Sequence, residues 1–313
     1  MRVALFGCGW IQDFHARGVL AYPGAELAVV VNHRAETARS FAERHGIPRV
    51  ETDWEAAVAA GGFDAAIVST PNALHAPQAI ALLRAGIPVL VEKPMATTVA
   101  ECDAMIGAAD ASGAALMVAH CWRFRDEVVA MRDRIAAGEF GDIVKTRGYG
   151  VHAEWGPSGW FTDPALAGGG ALVDMGVHAI DTVRFLLGDP EPVAVRGVVG
   201  TRYAGGRYVV DDDAILLVTW SNGTNSIIES GWWHPRKGGL EADTEVYGTR
   251  GFDRIWAEEP PGPDYEHCTQ PMYSAQVREF LSALEEGRRP RPDGADGRIV
   301  MRVVEAALAD ARG

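Results

Sequence analysis

The stretch Pro88-Val89-Leu90-Val91-Glu92-Lys93-Pro94 holds the first residues that could do chemistry. A short apolar run after Gly86-Ile87 reads as a strand buried on both faces. Pro94 has no N–H for a ladder and ends it. Glu92 and Lys93 are therefore expected at the carboxyl edge of a strand, where open α/β sheets bind ligands. A partly desolvated ammonium there has a tunable pKa; a solvated charge that only ends a strand fits the stretch as well. A second candidate is Asp174 with His178. Four residues apart, they share a face on a helix, and a carboxylate beside an imidazole can orient it and raise its pKa. A surface pair, or half of a metal site, has the same spacing.

A third candidate is Gly7-Cys8-Gly9-Trp10-Ile11-Gln12, which follows a strand over residues 2–6 and opens a helical pattern that runs to Leu20. Strand, glycine turn and helix form the context of a dinucleotide site. Gly7 permits the tight turn and Gly9 a close backbone approach, while the helix start at Trp10 and Ile11 supplies N–H groups and the positive dipole end. Gln12 stands where a third glycine is usual, and its long side chain is expected to swing out of the helix–strand contact. The next strand, Leu27–Val31, ends in Asn32-His33-Arg34. No acid is present there to hold a ribose 2′-hydroxyl; Arg34 suits a 2′-phosphate, or faces solvent.

The elements that must position these residues alternate. Helices are expected over 35–44, 54–60, 74–85 and 99–111, and strands over 64–69, 88–91 and 114–119. That alternation implies a mostly parallel, doubly wound sheet. His75 reads as a helix-start histidine. After about residue 123 the texture changes. A helix over 126–137 precedes a strand over 143–152. A glycine-rich loop from Trp155 to Pro164 then leads into Gly168-Gly169-Gly170 and the helix of Asp174 and His178. From Val193 to Trp256 alternating runs carry turn signals at Ala204-Gly205-Gly206, Asn222-Gly223, Lys237-Gly238-Gly239 and Gly248–Gly251, so an antiparallel sheet is expected. Asp211-Asp212-Asp213 reads as a strand cap in solvent. Trp220, Trp232, Trp233 and Trp256 read as sheet-face packing or interface residues. Pro260–Pro271 reads as a loop, with closing helices near 275–286 and 298–311.

The chain has 313 residues, 48% hydrophobic and 23% charged, which suits two globular domains. A net charge of −13 disfavours a nucleic-acid or anionic-membrane partner. The apolar runs are short of a membrane span, and because a strand-like run starts at once no signal peptide is expected. Cys8, Cys102, Cys121 and Cys268 have no paired spacing, so a reducing, cytoplasmic setting without a structural zinc site is expected, and no metal.

Taken together, Gly7-x-Gly9, Thr70-Pro71-Asn72-x-x-His75, Glu92-Lys93-Pro94, Gly168-Gly169-Gly170-x-x-x-Asp174-x-x-x-His178 and Gly248-Thr249-Arg250-Gly251 resemble the glucose-fructose oxidoreductase / inositol dehydrogenase (Gfo/Idh/MocA) family over nearly the whole chain. The resemblance implies an α/β fold in two parts. Residues 1–122 would be a Rossmann dinucleotide-binding domain. Residues 123–313 would be an α+β domain for substrate and oligomerisation, with a large, mostly antiparallel open-faced sheet and a last helix able to pack back on the first domain. It implies catalytic roles for Lys93, Asp174 and His178 beside a nicotinamide, with Thr70, Pro71 and Asn72 flanking that ring and its ribose. It also extends the cofactor set, already Gly7, Gly9, Trp10, Ile11, Asn32, His33 and Arg34, to His75, Glu92 and Lys93. A cis Lys93–Pro94 bond is expected on the same ground. The implied activity is NAD(P)-dependent hydride transfer at a secondary alcohol or ketone of a sugar, inositol or related polyol, with Arg123, His152 and Trp160 as further candidates to line the substrate. Asn32 in place of an acid favours NADP over NAD. A glycoside hydrolase using bound NAD, and a cofactor-binding regulator without turnover, share the fold and remain alternatives. An open apolar sheet face needs a cover, so a homodimer or homotetramer through that face is expected.

Overall fold

The computed structural model describes residues 1–152, 157–233, 242–255 and 265–311. Trp155 and Gly156 of the glycine-rich loop, the Lys237-Gly238-Gly239 turn, Trp256 and the loop residues 260–264 lie outside the described residues.

The first third of the chain alternates strand and helix: β1 (Arg2–Phe6), α1 (Trp10–Leu20), β2 (Glu26–Val31), α2 (Ala35–His45), β3 (Arg49–Glu51), α3 (Trp54–Ala60), β4 (Ala65–Val68), α4 (His75–Arg84), β5 (Val89–Glu92), α5 (Val99–Ser112) and β6 (Leu116–Ala119). Local chemistry sets several of the ends. Asp53 caps α3 by accepting from the N–H groups of Glu55 and Ala56 at 2.9 and 3.1 Å. Gly46 closes α2 in the left-handed conformation. The six strands are parallel, in the order β3-β2-β1-β4-β5-β6. Order reverses between β1 and β4, so the carboxyl ends of those two strands flank the switch point of a doubly wound sheet. Val3–Phe6, Ala65–Val68 and Val89–Val91 are fully buried, as strands covered on both faces must be.

The second half runs α6 (Asp126–Ala136), β7 (Ile143–Val151), α7 (Pro164–Ala167), α8 (Val177–Leu186), β8 (Pro192–Gly200), β9 (Asp213–Trp220), β10 (Asn225–Gly231), β11 (Thr244–Gly248), β12 (Phe252–Ile255), α9 (Tyr265–Glu285) and α10 (Gly294–Asp310). Its sheet has the order β12-β11-β7-β10-β9-β8. The expected antiparallel pairing holds for every neighbour except β7 and β10, which run parallel from Lys145↔Asn225 to Val151↔Gly231. The segment after β7 passes through α7 and α8 before the hairpin β9–β10 returns, and such a crossover brings a strand back in the same sense. Along β9, Ala214, Leu216, Val218 and Trp220 are buried, whereas Ile215 and Leu217 are 52% and 47% exposed. Val198, opposite Ile215 on β8, is 62% exposed. One sheet face is packed and the other is open.

The loop expected over Pro260–Pro271 is corrected, because α9 already begins at Tyr265 and carries Pro271 inside it. A proline there removes one backbone bond. Met272, Tyr273 and Val277 are buried, and Tyr273 stacks at 5.3 Å on Phe14 of α1, so packing holds the helix across the defect.

The chain divides into two compact units. One comprises Met1–Ala96, Ala100–Cys121 and Glu266–Gly297, and the other Thr97–Val99, Trp122–Tyr265 and Arg298–Gly313. Among the described residues no helix is long and apolar enough to cross a membrane.

Candidate functional site

In the first unit, β1 ends in a turn that only glycine accommodates. Gly7 has φ +104°, and a Cβ there would stand 2.6 Å from the Ser69 carbonyl oxygen after β4. Gly9 is different. Nothing lies within 4 Å of its would-be Cβ, and it precedes α1 without any side-chain cap. An uncapped helix start beside open space is a place where backbone N–H groups can meet an anion. Trp10 at that start is half exposed. Gln12 does not swing out as expected. It is fully buried, and its Oε1 accepts from the Ser69 hydroxyl, so the long side chain ties α1 to the end of β4 where a third glycine would only make room.

At the end of β2, Asn32 donates from Nδ2 to the Arg34 carbonyl at 3.2 Å, and His33 and Arg34 are exposed. Charge gathers around the first turn. Burial pushes the Cys8 thiol up to about 12, with Arg44 and Arg34 pulling it down and Asp13 pushing it up. Asp13 in turn meets His45 at 2.6 Å and Arg44 at 3.3 Å.

The carboxyl ends of β4 and β5 are laced together by His75. It starts α4 and is buried. Its Nδ1 lies 2.8 Å from the Pro94 carbonyl and its Nε2 2.8 Å from the Thr70 carbonyl. Burial lowers its pKa; the two carbonyls and Glu92 raise it, and Lys93 lowers it. With both ring nitrogens turned to backbone, the side chain serves the two turns rather than a ligand. Thr70 donates to Gln78 at 2.8 Å, and Asn72 is buried. Glu92 is buried as well. Its Oε1 sits 2.8 Å from Nε2 of His15, and its Oε2 accepts from the Lys93 N–H at 3.1 Å. Lys93 is half-buried, and the Lys93–Pro94 peptide is cis.

In the second unit, Gly168 ends α7 with φ +74°, and Gly170 passes so close to Asp211 that a Cβ would stand 1.8 Å from its carbonyl oxygen. The chain then makes a wide π turn over Leu172–Gly176 and continues as α8. Asp211 builds the start of that turn: Oδ1 accepts from Gly170 N and Oδ2 from Leu172 N, both at 2.8 Å. Burial raises its pKa, while those two N–H groups lower it. The solvent cap expected of Asp211–Asp213 is therefore corrected. Asp211 is half-buried and Asp212 buried, the latter accepting from the N–H groups of Arg202 and Tyr203 and from the Tyr208 hydroxyl at 2.5, 2.8 and 3.0 Å. These acids satisfy backbone donors inside the fold, where an unmet N–H would be costly.

The π turn lies against the sheet by way of small residues. Gly150 on β7 admits the Met175 carbonyl, 2.2 Å from where a Cβ would be, and Ser230 on β10 donates to the Ala171 carbonyl at 2.8 Å. Asp174 and His178 follow on this supported segment, His178 buried and Asp174 half-buried. Trp232, fully buried, donates from its indole nitrogen to Asp174 Oδ2 at 3.0 Å. This is more than the packing role expected of it. π turns recur at functional sites.

The remaining candidates divide. Arg123 is buried, bidentate to Asp181 at 2.7 and 2.8 Å, 3.0 Å from Asp189, and stacked over Phe185. The backbone N–H of His152 donates to the Gly231 carbonyl at 2.9 Å, and the residue precedes others outside the described ones. Trp160 stacks on Phe161 with ring centroids 3.9 Å apart. Among the described residues no group of His, Cys, Asp and Glu could hold a metal ion. The sequence reading left out His15 and gave Asp211 and Trp232 other roles. Spacing could have pointed to His15, three residues after Gln12 on the inward face of α1. Asp211 reaches Gly170 across 41 positions, and no local pattern links them.

Comparison with known proteins gives these features a setting. The family described as "Oxidoreductase family, NAD-binding Rossmann fold" (GFO_IDH_MocA) matches residues 1–120, and the GFO/IDH/MocA C-terminal domain matches residues 128–252. A 1,5-anhydro-D-fructose reductase of Ensifer adhaerens is 31% identical, over 95% of this chain and 92% of its own length. An inositol 2-dehydrogenase of Rhizobium meliloti is 26% identical, over 98% and 96%. The solved structure of GenD2 from gentamicin A biosynthesis, in complex with NAD, is similar with a TM-score of 0.90 and 27% identity, over 100% of this chain and 94% of that one.

The Asp211 cap yields an expected outcome. Asp211→Asn leaves one oxygen to serve two N–H groups and turns an NH₂ toward one of them, so unfolding free energy in urea should fall by about 1–3 kcal/mol. A loss below about 0.5 kcal/mol would mean that water replaces the cap.

Proposed function

The chain belongs to the Gfo/Idh/MocA family of oxidoreductases, and on that premise we propose that it transfers a hydride between a nicotinamide dinucleotide and a secondary alcohol or ketone of a sugar, inositol or related polyol. The observation that carries this reading is Lys93 at the carboxyl edge of β5, its backbone N–H held by a buried carboxylate. A relative that reduces 1,5-anhydro-D-fructose and another named for inositol support the substrate class.

The dinucleotide suits the residues present. The uncapped start of α1 and the open space over Gly9 fit a pyrophosphate. Trp10 and Ile11 offer backbone N–H groups, and the Thr70-Pro71-Asn72 turn lies at the neighbouring strand end. When bound, the nicotinamide supplies the two-electron acceptor or donor. The chain's own residues handle the proton and the charge. His178 takes the hydroxyl proton at a ring nitrogen, and Asp174, itself held by Trp232, orients that ring. The Lys93 ammonium donates to the oxygen as negative charge develops. In the reverse direction the same groups return the proton to the ketone oxygen. For the choice of dinucleotide, Asn32 is engaged with the Arg34 carbonyl, the exposed Arg34 is available to a 2′-phosphate, and NADP is the favoured form. Cys8, Cys102 and Cys121 stand as thiols rather than disulfides, which fits a cytoplasmic setting. The open face carrying Val198, Ile215 and Leu217 is proposed to be covered by a second copy of the chain.

Lys93→Ala should bind cofactor normally, by fluorescence titration of the reduced dinucleotide, yet lose about two to three orders of magnitude in turnover on the best substrate of a sugar and polyol panel. His178→Ala should lose a similar factor, with part of it regained at high pH. A fully active Lys93→Ala overturns the mechanism.

Arg34→Ala should weaken NADP about ten- to a hundredfold and leave NAD within about twofold. Equal weakening of both would make Arg34 structural.

In sedimentation at micromolar protein, the wild type should run as a dimer or tetramer, and Ile215→Glu with Leu217→Glu should shift it to a smaller species. A wild-type monomer rules the covered face out.

A further inference from the structure

Lys93 is held from behind by a residue that neither its motif nor the dinucleotide turn contains. We infer that His15 is a positioning residue for Lys93, acting through the Glu92 carboxylate; the inference rests on the role proposed for Lys93. His15 lies on the inward face of α1, fully buried. Its ring meets Tyr273 edge-on, centroids 5.2 Å apart and planes at 82°. Phe14 beside it stacks on the same tyrosine. Only one ring nitrogen has a partner: Nε2, 2.8 Å from Glu92 Oε1. Nδ1 is buried with no hydrogen-bond partner among the described residues. A carboxylate oxygen accepts, so Nε2 carries the N–H and donates a hydrogen bond to Glu92 Oε1.

Glu92 then has one oxygen on His15 and the other on the Lys93 backbone N–H. On the far side of the same dipeptide, the Pro94 carbonyl is taken by His75. The backbone that carries the ammonium is thus fixed at both ends by buried side chains. Glu92 and Lys93 both act electrostatically on His75. Without the His15 N–H, the buried Glu92 carboxylate would be left with one donor fewer. It would press its charge on the nearest cation or turn away and release the Lys93 N–H. A displacement of about 1 Å at a reacting group can lower a rate a hundredfold.

The chain has three lysines, Lys93, Lys145 and Lys237, so the ammonium can be followed directly. Full-length protein without cofactor is acetylated with acetic anhydride across about pH 6 to 10. The Lys93 and Lys145 peptides are quantified by mass spectrometry, Lys145 over the Tyr247 ring serving as internal reference. In His15→Leu the Lys93 midpoint should rise by roughly half a pH unit or more, because a less neutralised carboxylate favours the ammonium; Lys145 should not move. His15→Gln places an amide N–H at similar reach and should return the midpoint toward wild type. On the best substrate of the panel, kcat should fall about tenfold in His15→Leu and recover in His15→Gln, with dinucleotide affinity within about twofold throughout. A wild-type midpoint in His15→Leu, or equal shifts in both variants, overturns the inference. Should His15→Leu fail to fold, Glu92→Gln decides: removing the charge must lower the Lys93 midpoint, and no change overturns the inference. Acetylation needs neither substrate nor turnover, so it stands apart from the activity of Lys93→Ala, which tests the proposed function.

Discussion

A carboxylate taken out of water must be met by donors or it destabilises the fold by several kcal/mol. Both halves of the candidate machinery are organised around that requirement. Glu92 is met by an imidazole from α1 and by the next residue's N–H. Asp211 is met by two N–H groups at the start of the π turn, and Asp212 by two more and a phenol. Glu92 and Asp211 each join segments far apart in the chain. Each bond also removes a freedom that the side chains proposed to react would otherwise have. The lysine loop is held by a buried carboxylate, and the turn that bears Asp174 by the Asp211 carboxylate at its start.

Glycine does the complementary work. Gly7 and Gly170 lie where a Cβ would strike a carbonyl oxygen, and Gly150 lets the π turn come down onto the sheet. At these positions the absence of a side chain lets two backbones approach until a carboxylate or hydroxyl can bridge them. Gly9 stands apart, since nothing in the protein crowds it. Its openness is toward whatever binds, which is why it, rather than Gly7, speaks for a ligand.

Buried polar side chains also reassign residues that a motif alone would give to ligands. His75 belongs to a cofactor motif, yet both of its nitrogens face backbone carbonyls. Arg123 sits among substrate candidates, yet its guanidinium meets Asp181 and Asp189. Conversely Trp232, expected to pack, turns its N–H to Asp174. A side chain's chemistry is decided by which of its atoms are already engaged.

By itself the sequence determined what depends on neighbours along the chain. The buried runs of β1, β4 and β5, the glycine turn after β1, the proline that stops β5, and the four-residue spacing of Asp174 and His178 are local patterns, set by periodicity and backbone freedom within a few residues. Even the change from alternating to hairpin texture after residue 123 was legible this way. Tertiary structure decided the rest. The pairing of β7 with β10 depends on a crossover, not on either strand's residues. Gln12 stays inside because Ser69 offers it a partner, 57 positions away. Asp211 turns inward because backbone N–H groups 39 and 41 positions away need acceptors. His15 reaches Glu92 across 77 positions. Hydrogen bonds between distant segments satisfy buried groups only once the chain has folded, and no spacing along the sequence records them.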